Sequence, residues 1–121
     1  MSYRVVRVST RRELIDFVNL PFEIYIEDKN WVAPIKSELL RVLDTKKNPY
    51  FKIASLDLFN CYSGDKIVAR ISLSVNKDFC SKTGIKIGFF GFFESFNDPQ
   101  AVRFLLKVLF NYCSQENIKR I

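Results

Sequence analysis

The N-terminal part of the chain carries apolar residues first at strand spacing and then at helical spacing. Residues 3–8 are rich in valine, which predicts a strand. Thr10 and Glu13 have the spacing of a capping box, and apolar residues recur at helical intervals after them. We expect Pro21 to end or bend this helix, because proline lacks the N–H that a helix interior needs. Further helical segments are predicted over 22–26 and 37–43, with loops over 28–31 and 45–49.

The middle of the chain alternates between apolar and polar positions. Segments 53–62 and 66–76 predict two strands, and Ser63–Asp65 between them is a tight-turn sequence. The alternation in 66–76 is regular, which is typical of an antiparallel strand with one covered face. Residues 77–84 predict a connecting loop. This region is therefore expected to form a β-hairpin.

The last third of the chain is the most apolar. Ile85–Phe93 is apolar at nearly every position, which predicts a central strand covered on both faces. Asp98 is a predicted N-cap and Pro99 takes the first helical position, where its missing N–H costs nothing. A core helix over 101–113 should follow. Asn117 is a predicted left-handed cap, and 118–121 are expected to begin another strand.

These elements predict an α+β fold with a mixed, mainly antiparallel sheet flanked by helices. A length of 121 residues favours a single domain over 1–121. A central strand needs a neighbour on each side, and 118–121 read as the start of a strand. We therefore expect residues 1–121 to be the incomplete N-terminal part of a longer domain.

Composition narrows the class of protein. The chain is 48% hydrophobic and 26% charged, which is typical of a globular protein. No apolar run approaches the ~18 residues of a membrane-spanning helix, and the charged N-terminus does not resemble a signal peptide. Three scattered cysteines suit reduced thiols. We expect a soluble, cytoplasmic protein that does not associate with membranes.

The residue types that the chain lacks limit the catalytic mechanisms and metal sites that it can have. The chain has no histidine, which excludes Ser–His and Cys–His nucleophile systems. The cysteines have no metal-ligand spacing, so we expect no metal. The net charge of +6 either provides solubility or attracts an anion. The basic residues are dispersed rather than clustered, which makes a nucleic-acid partner unlikely.

Several short motifs identify a family resemblance. They are Asn30-Trp-Val-Ala-Pro34, Lys46-Lys-Asn-Pro-Tyr-Phe51 and Gly88-Phe-Phe-Gly-Phe-Phe-Glu94 followed by Asp98-Pro99. Together with the predicted order of elements, they resemble the N-terminal portion of a largely uncharacterised subgroup of GNAT-like (N-acetyltransferase fold) bacterial proteins. The resemblance covers residues 17–115. It implies an N-acyltransferase whose cofactor is acetyl-CoA or another acyl-CoA and whose partner is a small-molecule amine acceptor. The isolated 121 residues are expected to be inactive.

The resemblance also implies roles for individual residues. Glu94 corresponds to a general base on the fourth strand. Trp31 lies in the loop that borders the acceptor site. The coenzyme-binding candidates are Phe92, Phe93, Ser95 and Asn97.

Structural alternatives stay open for each of these residues. Glu94 also suits a helix terminus, Trp31 a loop anchor, and Gly88 and Gly91 a β-bulge. The loop 94–98 has no glycine, whereas the pyrophosphate loop of GNAT proteins is glycine-rich. The resemblance therefore fits either such an N-acyltransferase or a degenerate relative of one. The alternative function is a non-catalytic binding or structural module that self-associates through its aromatic sheet into a homo-oligomer.

Overall fold

A computed structural model describes residues 2–119. Its elements are β1 (Tyr3–Arg7), α1 (Arg11–Ile24), α2 (Lys36–Val42), a short 3₁₀ helix (Pro49–Lys52), β2 (Ala54–Ser63), β3 (Lys66–Asn76), α3 (Lys77–Thr83), β4 (Phe89–Ser95) and α4 (Pro99–Gln115).

The four strands form one sheet in the order β1-β2-β3-β4, and every pair in it is antiparallel. Helix α4 covers one face, where Leu105 and Leu109 pack against Ile71 and Leu73 of β3. Helix α1 covers the other face, where Phe17 packs with residues of β2 and α2. The predicted α+β class is confirmed.

Helix α1 begins as predicted and ends later than predicted. The Glu13 N–H donates to Thr10 Oγ1 at 3.2 Å and the Thr10 N–H donates to Glu13 Oε1 at 3.1 Å, which confirms the capping box. The helix does not end at Pro21 but continues to Ile24, so most of the segment predicted over 22–26 belongs to the same helix.

Strand β3 is buried on both faces, which corrects the prediction of one covered face. Arg70 and Ser72, on the predicted polar face, are 5% and 4% exposed, and α1 lies over Arg70, which contacts Phe17. The alternation also changes phase at a register shift opposite Cys61 and Tyr62. Ile67 consequently packs with Leu20 of α1, and not with α4 as the regular alternation predicts.

The predicted loop over 77–84 is mostly helix α3. The Asn76 side chain accepts the N–H of Phe79 at 3.0 Å and caps the helix, and Gly84 ends it with φ of 72°. A side-chain N-cap and a left-handed glycine at the helix end are both local sequence signals, so the sequence contains enough information to predict this helix.

Strand β4 is an edge strand of the described residues, which corrects the prediction of a central, doubly covered strand. It begins at Phe89 rather than Ile85. Its outward-facing phenylalanines are half exposed, and Phe90 reaches 60%. Within residues 2–119, the second edge of β4 has no strand beside it.

Helix α4 has both predicted caps. The Asp98 carboxylate accepts the N–H of Ala101 at 3.2 Å. At the other end Asn117 has φ of 58°, and the Ile118 N–H donates to the Cys113 carbonyl at 2.8 Å, as in a Schellman motif. Ile118 and Lys119 are not in a strand. The rest of the strand predicted over 118–121 lies outside the described residues.

Candidate functional site

Glu94 and Tyr25 meet where the end of β4 lies against the end of α1. The Tyr25 hydroxyl donates to Glu94 Oε1 at 2.7 Å. Tyr25 is the C-cap of α1, and Glu94 is half-buried and lies opposite Arg70 in the register of β4 on β3. The hydrogen bond to Glu94, followed by burial, raises the pKa of Tyr25, so the phenol keeps its proton near neutral pH.

Trp31 lies on the other side of Tyr25. The two rings stack with centroids 5.2 Å apart, and Phe22 meets the indole edge-on at 5.2 Å. Sequence reasoning predicted Glu94 and Trp31 as site residues in separate elements. The structure brings them together through Tyr25, which sequence reasoning did not select. Tyr25 sits near the end of a helical apolar run, and that position gave no signal of a polar role.

Arg70 is the second site residue that the sequence did not reveal. Its guanidinium is buried, with Nε donating to the Phe92 carbonyl at 2.8 Å and Nη1 donating to the Phe17 carbonyl. The Phe17 ring lies 4.5 Å from the guanidinium carbon. Burial lowers the pKa of Arg70 to about 10, an effect that the charge of Glu94 opposes, so Arg70 stays cationic near neutral pH.

Phe92 forms a β-bulge in the site. The pairing of β3 with β4 shifts between Arg70 opposite Glu94 and Ser72 opposite Gly91. Phe92 has φ of 52°, a left-handed conformation that costs about 1–3 kcal/mol for a residue with a side chain. The bulge that Gly88 and Gly91 suggested is therefore present, with the positive φ at Phe92. A Cβ on Gly91 would lie 3.4 Å from Ser72 Oγ.

The four predicted coenzyme-binding residues are divided between the faces of β4 and the loop after it. Phe92 lines a groove of about 380 Å³ with Tyr50 and Phe51, on the α1 side. Phe93 lines an apolar groove of about 320 Å³ on the α4 side. Ser95 donates to the Phe96 carbonyl at 2.6 Å, and Asn97 is exposed. Phe92 is connected to the Arg70–Glu94–Tyr25 cluster through its carbonyl, which accepts from Nε of Arg70.

The start of α4 is already occupied by a carboxylate. Asp98 accepts the Ala101 N–H and also the Tyr3 hydroxyl, at 2.9 and 2.8 Å to its two oxygens. Pro99 contributes no N–H at all. A diphosphate binds a helix N-terminus through free N–H groups and the positive end of the dipole. Asp98 places a negative charge at this terminus and accepts one of its N–H groups, and Pro99 has none to offer, so this helix terminus does not fit the diphosphate of coenzyme A.

The thiols are remote from this chemistry. Cys61 and Cys113 are buried, and burial raises the pKa of Cys61 to about 11, so it stays protonated near neutral pH. Across residues 2–119, no cluster of three or more potential metal-ligating side chains occurs.

Comparison with solved structures defines the class of fold. The chain superposes on an aminoglycoside acetyltransferase from an uncultured soil metagenomic sample, with a TM-score of 0.66 and 15% identity, covering 98% of this chain and 74% of that one. FeeM, an N-acyl amino acid synthase from uncultured soil microbes, gives a TM-score of 0.64 and 12% identity, covering 97% and 68%. A predicted acetyltransferase with acetyl-CoA from Clostridium acetobutylicum gives 0.64 and 17%, covering 99% and 77%. The fold is that of GNAT acyltransferases, which confirms the resemblance found in the sequence.

Comparison of sequences adds one particular relative. The chain is 32% identical over 104 residues to a bacterial ceramide synthase from Caulobacter vibrioides. The match covers 85% of this chain and 27% of that protein, so the chain spans about a quarter of the length of this relative. No protein-family model matches the chain. Within the described residues, no helix is both long enough and apolar enough to cross a bilayer.

Proposed function

We propose that the chain carries part of the active site of an N-acyltransferase, which forms an amide from an acyl thioester and a primary amine. The observation that carries the proposal is the Tyr25–Glu94 hydrogen bond beside a bulged strand whose second edge has no strand beside it within residues 2–119. The GNAT-like fold and the similarity to a ceramide synthase support it.

The acceptor is a protonated amine that binds beside the Glu94 carboxylate and against the aromatic rings of Tyr25 and Trp31. A carboxylate and aromatic faces together attract an ammonium group. Glu94 accepts a proton from the ammonium, while the Tyr25 hydroxyl holds the carboxylate in place. The free amine then attacks the thioester carbonyl, a C–N bond forms and the C–S bond breaks, and the departing thiolate takes up the proton that the attacking nitrogen loses as it becomes an amide.

The acyl donor is a thioester such as acyl-CoA, whose pantetheine arm would lie along the open edge of β4. Unpaired backbone groups of an edge strand are available for such bonds. The diphosphate does not fit the start of α4, where Asp98 and Pro99 lie. We therefore expect acyl-CoA and the same acyl group on pantetheine alone to react with similar kcat/KM.

The experiment uses the gene product that contains this chain. Acyl-CoA and acyl-pantetheine donors from two to eighteen carbons are offered with sphingoid-base, amino-acid and aminoglycoside acceptors, and amide products are measured by mass spectrometry. Glu94→Gln should reduce kcat by about 10²- to 10⁴-fold, because it removes the base and keeps the shape. Glu38→Gln, in an exposed ion pair on α2, is the matched control. No product with any donor, or full activity in Glu94→Gln, would refute the proposal.

The second candidate is a non-catalytic module that self-associates through β4. The half-exposed phenylalanines and the unpaired edge favour it, because an open apolar edge pairs readily with another strand. Analytical ultracentrifugation separates the candidates. A concentration-dependent dimer that Phe90→Lys dissociates, without any acyl transfer, would favour the module over the enzyme.

A further inference from the structure

Among residues 2–119, the buried guanidinium of Arg70 has no carboxylate partner. Arg70 is 5% exposed, and no carboxylate of the described residues forms an ion pair with it. A buried charge is costly unless polar groups satisfy it. Here the satisfying groups are two backbone carbonyls from different elements, Phe17 of α1 and Phe92 of β4. Each of these carbonyls has lost its ordinary partner.

The Phe17 carbonyl is free because of Pro21. In an α-helix this carbonyl would accept the N–H of the residue four positions later, which is Pro21 and has no N–H. Phe17 and Pro21 are both buried, so water cannot supply the missing donor. Nη1 of Arg70 replaces it. This bond explains why α1 continues through a proline that should have ended it.

The Phe92 carbonyl belongs to the bulge. A bulge interrupts the ladder, and Phe92 has the positive φ of 52°. Nε of Arg70 donates to the Phe92 carbonyl at 2.8 Å, in place of a ladder partner. The strained conformation persists only if its surroundings hold it. Arg70 therefore links the irregular point of α1 to the irregular point of β4.

Tyr25 follows Pro21 closely along α1, and Glu94 follows Phe92 closely along β4. The Tyr25 N–H donates to the Pro21 carbonyl at 3.0 Å, and Glu94 follows the bulge and faces Arg70 across the ladder. We propose that Arg70 is a positioning residue, an inference that rests on the proposed function. Arg70 fixes α1 and the bulge of β4 at the separation that lets the Tyr25 hydroxyl donate to the Glu94 carboxylate.

Arg70→Lys tests this, because lysine keeps the charge and cannot reach both carbonyls with a planar fork. The coupling between Tyr25 and Glu94 is measured by a double-mutant cycle of Tyr25→Phe and Glu94→Gln on the free energy of unfolding. The cycle is carried out once in the native background and once in the Arg70→Lys background. We expect the coupling to be lost in Arg70→Lys. The emission of Trp31, the only tryptophan of the chain, should shift as its stacking on Tyr25 changes. Arg41→Lys is the control, since Arg41 is exposed and pairs only with Glu38.

A lower stability with the Tyr25–Glu94 coupling retained would show that Arg70 is only structural and would overturn the proposal. If the enzyme is active, Arg70→Lys should lower kcat by roughly 10²-fold with little change in the KM of the donor. Loss of coupling in an enzyme with no activity would retain this inference and reject the proposed function.

A second variant covers the case in which Arg70→Lys does not fold. Pro21→Ala restores an N–H for the Phe17 carbonyl, so Arg70 is no longer its only donor. We expect Arg70→Lys to fold in the Pro21→Ala background and to shift the unfolding midpoint less there than in the native background. An equal shift in both backgrounds would contradict the link through Phe17.

Discussion

On the α4 face of β3, Ile71 and Leu73 are each 1% exposed, whereas one strand away Phe90 and Phe93 of β4 are 60% and 44% exposed. The larger aromatic side chains thus lie at the edge of the sheet, and the smaller aliphatic ones form its core. Burial follows position in the sheet and not hydrophobicity alone. Stability is therefore expected to reside in the β2–β3 centre rather than in β4.

The largest effect should come from the centre. Leu105→Ala removes a fully buried side chain of α4 from its contact with β3 and should lower the free energy of unfolding by about 2–5 kcal/mol, through lost burial and a cavity. Urea denaturation measures it. Phe110→Ala is the control on the same helix, because Phe110 is 55% exposed. Equal losses in the two variants would remove the distinction between centre and edge.

The centre should also control stability at high pH. Burial raises the pKa of Tyr62 to about 12, against about 10 in the unfolded chain. The contribution of Tyr62 is therefore complete below pH ~10 and is lost as the pH rises through ~12. Tyr62→Phe should be less stable than the native chain at neutral pH, and the difference should narrow over that range. Parallel denaturation curves at each pH would contradict this, and exposed Tyr50→Phe is the control.

The junction between β4 and α4 should show an intermediate effect. Asp98→Ala removes the N-cap of α4 and should cost about 1 kcal/mol of stability, whereas Asp98→Asn keeps a capping oxygen and should cost less. Because the diphosphate is expected to lie away from this terminus, Asp98→Asn should leave the affinity for acyl-CoA unchanged, although it removes a negative charge there. Thermal shift at several acyl-CoA concentrations tests this, and tighter binding to Asp98→Asn would mean that the diphosphate does reach the helix terminus.

The smallest effect on stability should come from the edge itself. Phe90→Ala changes a mostly exposed side chain, and we expect a change within about 0.5 kcal/mol. A loss above about 2 kcal/mol in urea denaturation would mean that another surface covers β4 in solution. The edge strand would then contribute to the stability of the fold as strongly as the centre does.

Sequence predicted the features that a few neighbouring residues determine. Thr10 with Glu13 and Asp98 with Pro99 mark their helices because each cap binds groups within three residues of itself. Asn117 ends α4 for the same reason. The motif from Gly88 to Glu94 also identified the fold correctly, although the strand it forms is not covered as its composition suggested.

Sequence did not predict the features that distant residues determine. Pro21 indicates a helix end unless a donor reaches the Phe17 carbonyl, and that donor, Arg70, lies on β3. Arg70 in turn looked like a solvent-facing residue of an alternating strand until α1 covered it. Tyr25 became a polar site residue only because β4 brings Glu94 to its hydroxyl. Each of these depends on a contact between separate elements.

Pro21 leaves the Phe17 carbonyl without a helical donor, and Arg70 supplies one instead. This dependence restricts the order in which positions 21 and 70 can change over evolutionary time. While proline occupies position 21, replacing Arg70 leaves a buried carbonyl without a donor, which costs about 1–3 kcal/mol. Once another residue occupies position 21, the helix supplies its own N–H and position 70 is released. Descendants of this protein should therefore lose Pro21 before they lose Arg70, and the reverse order should be rare.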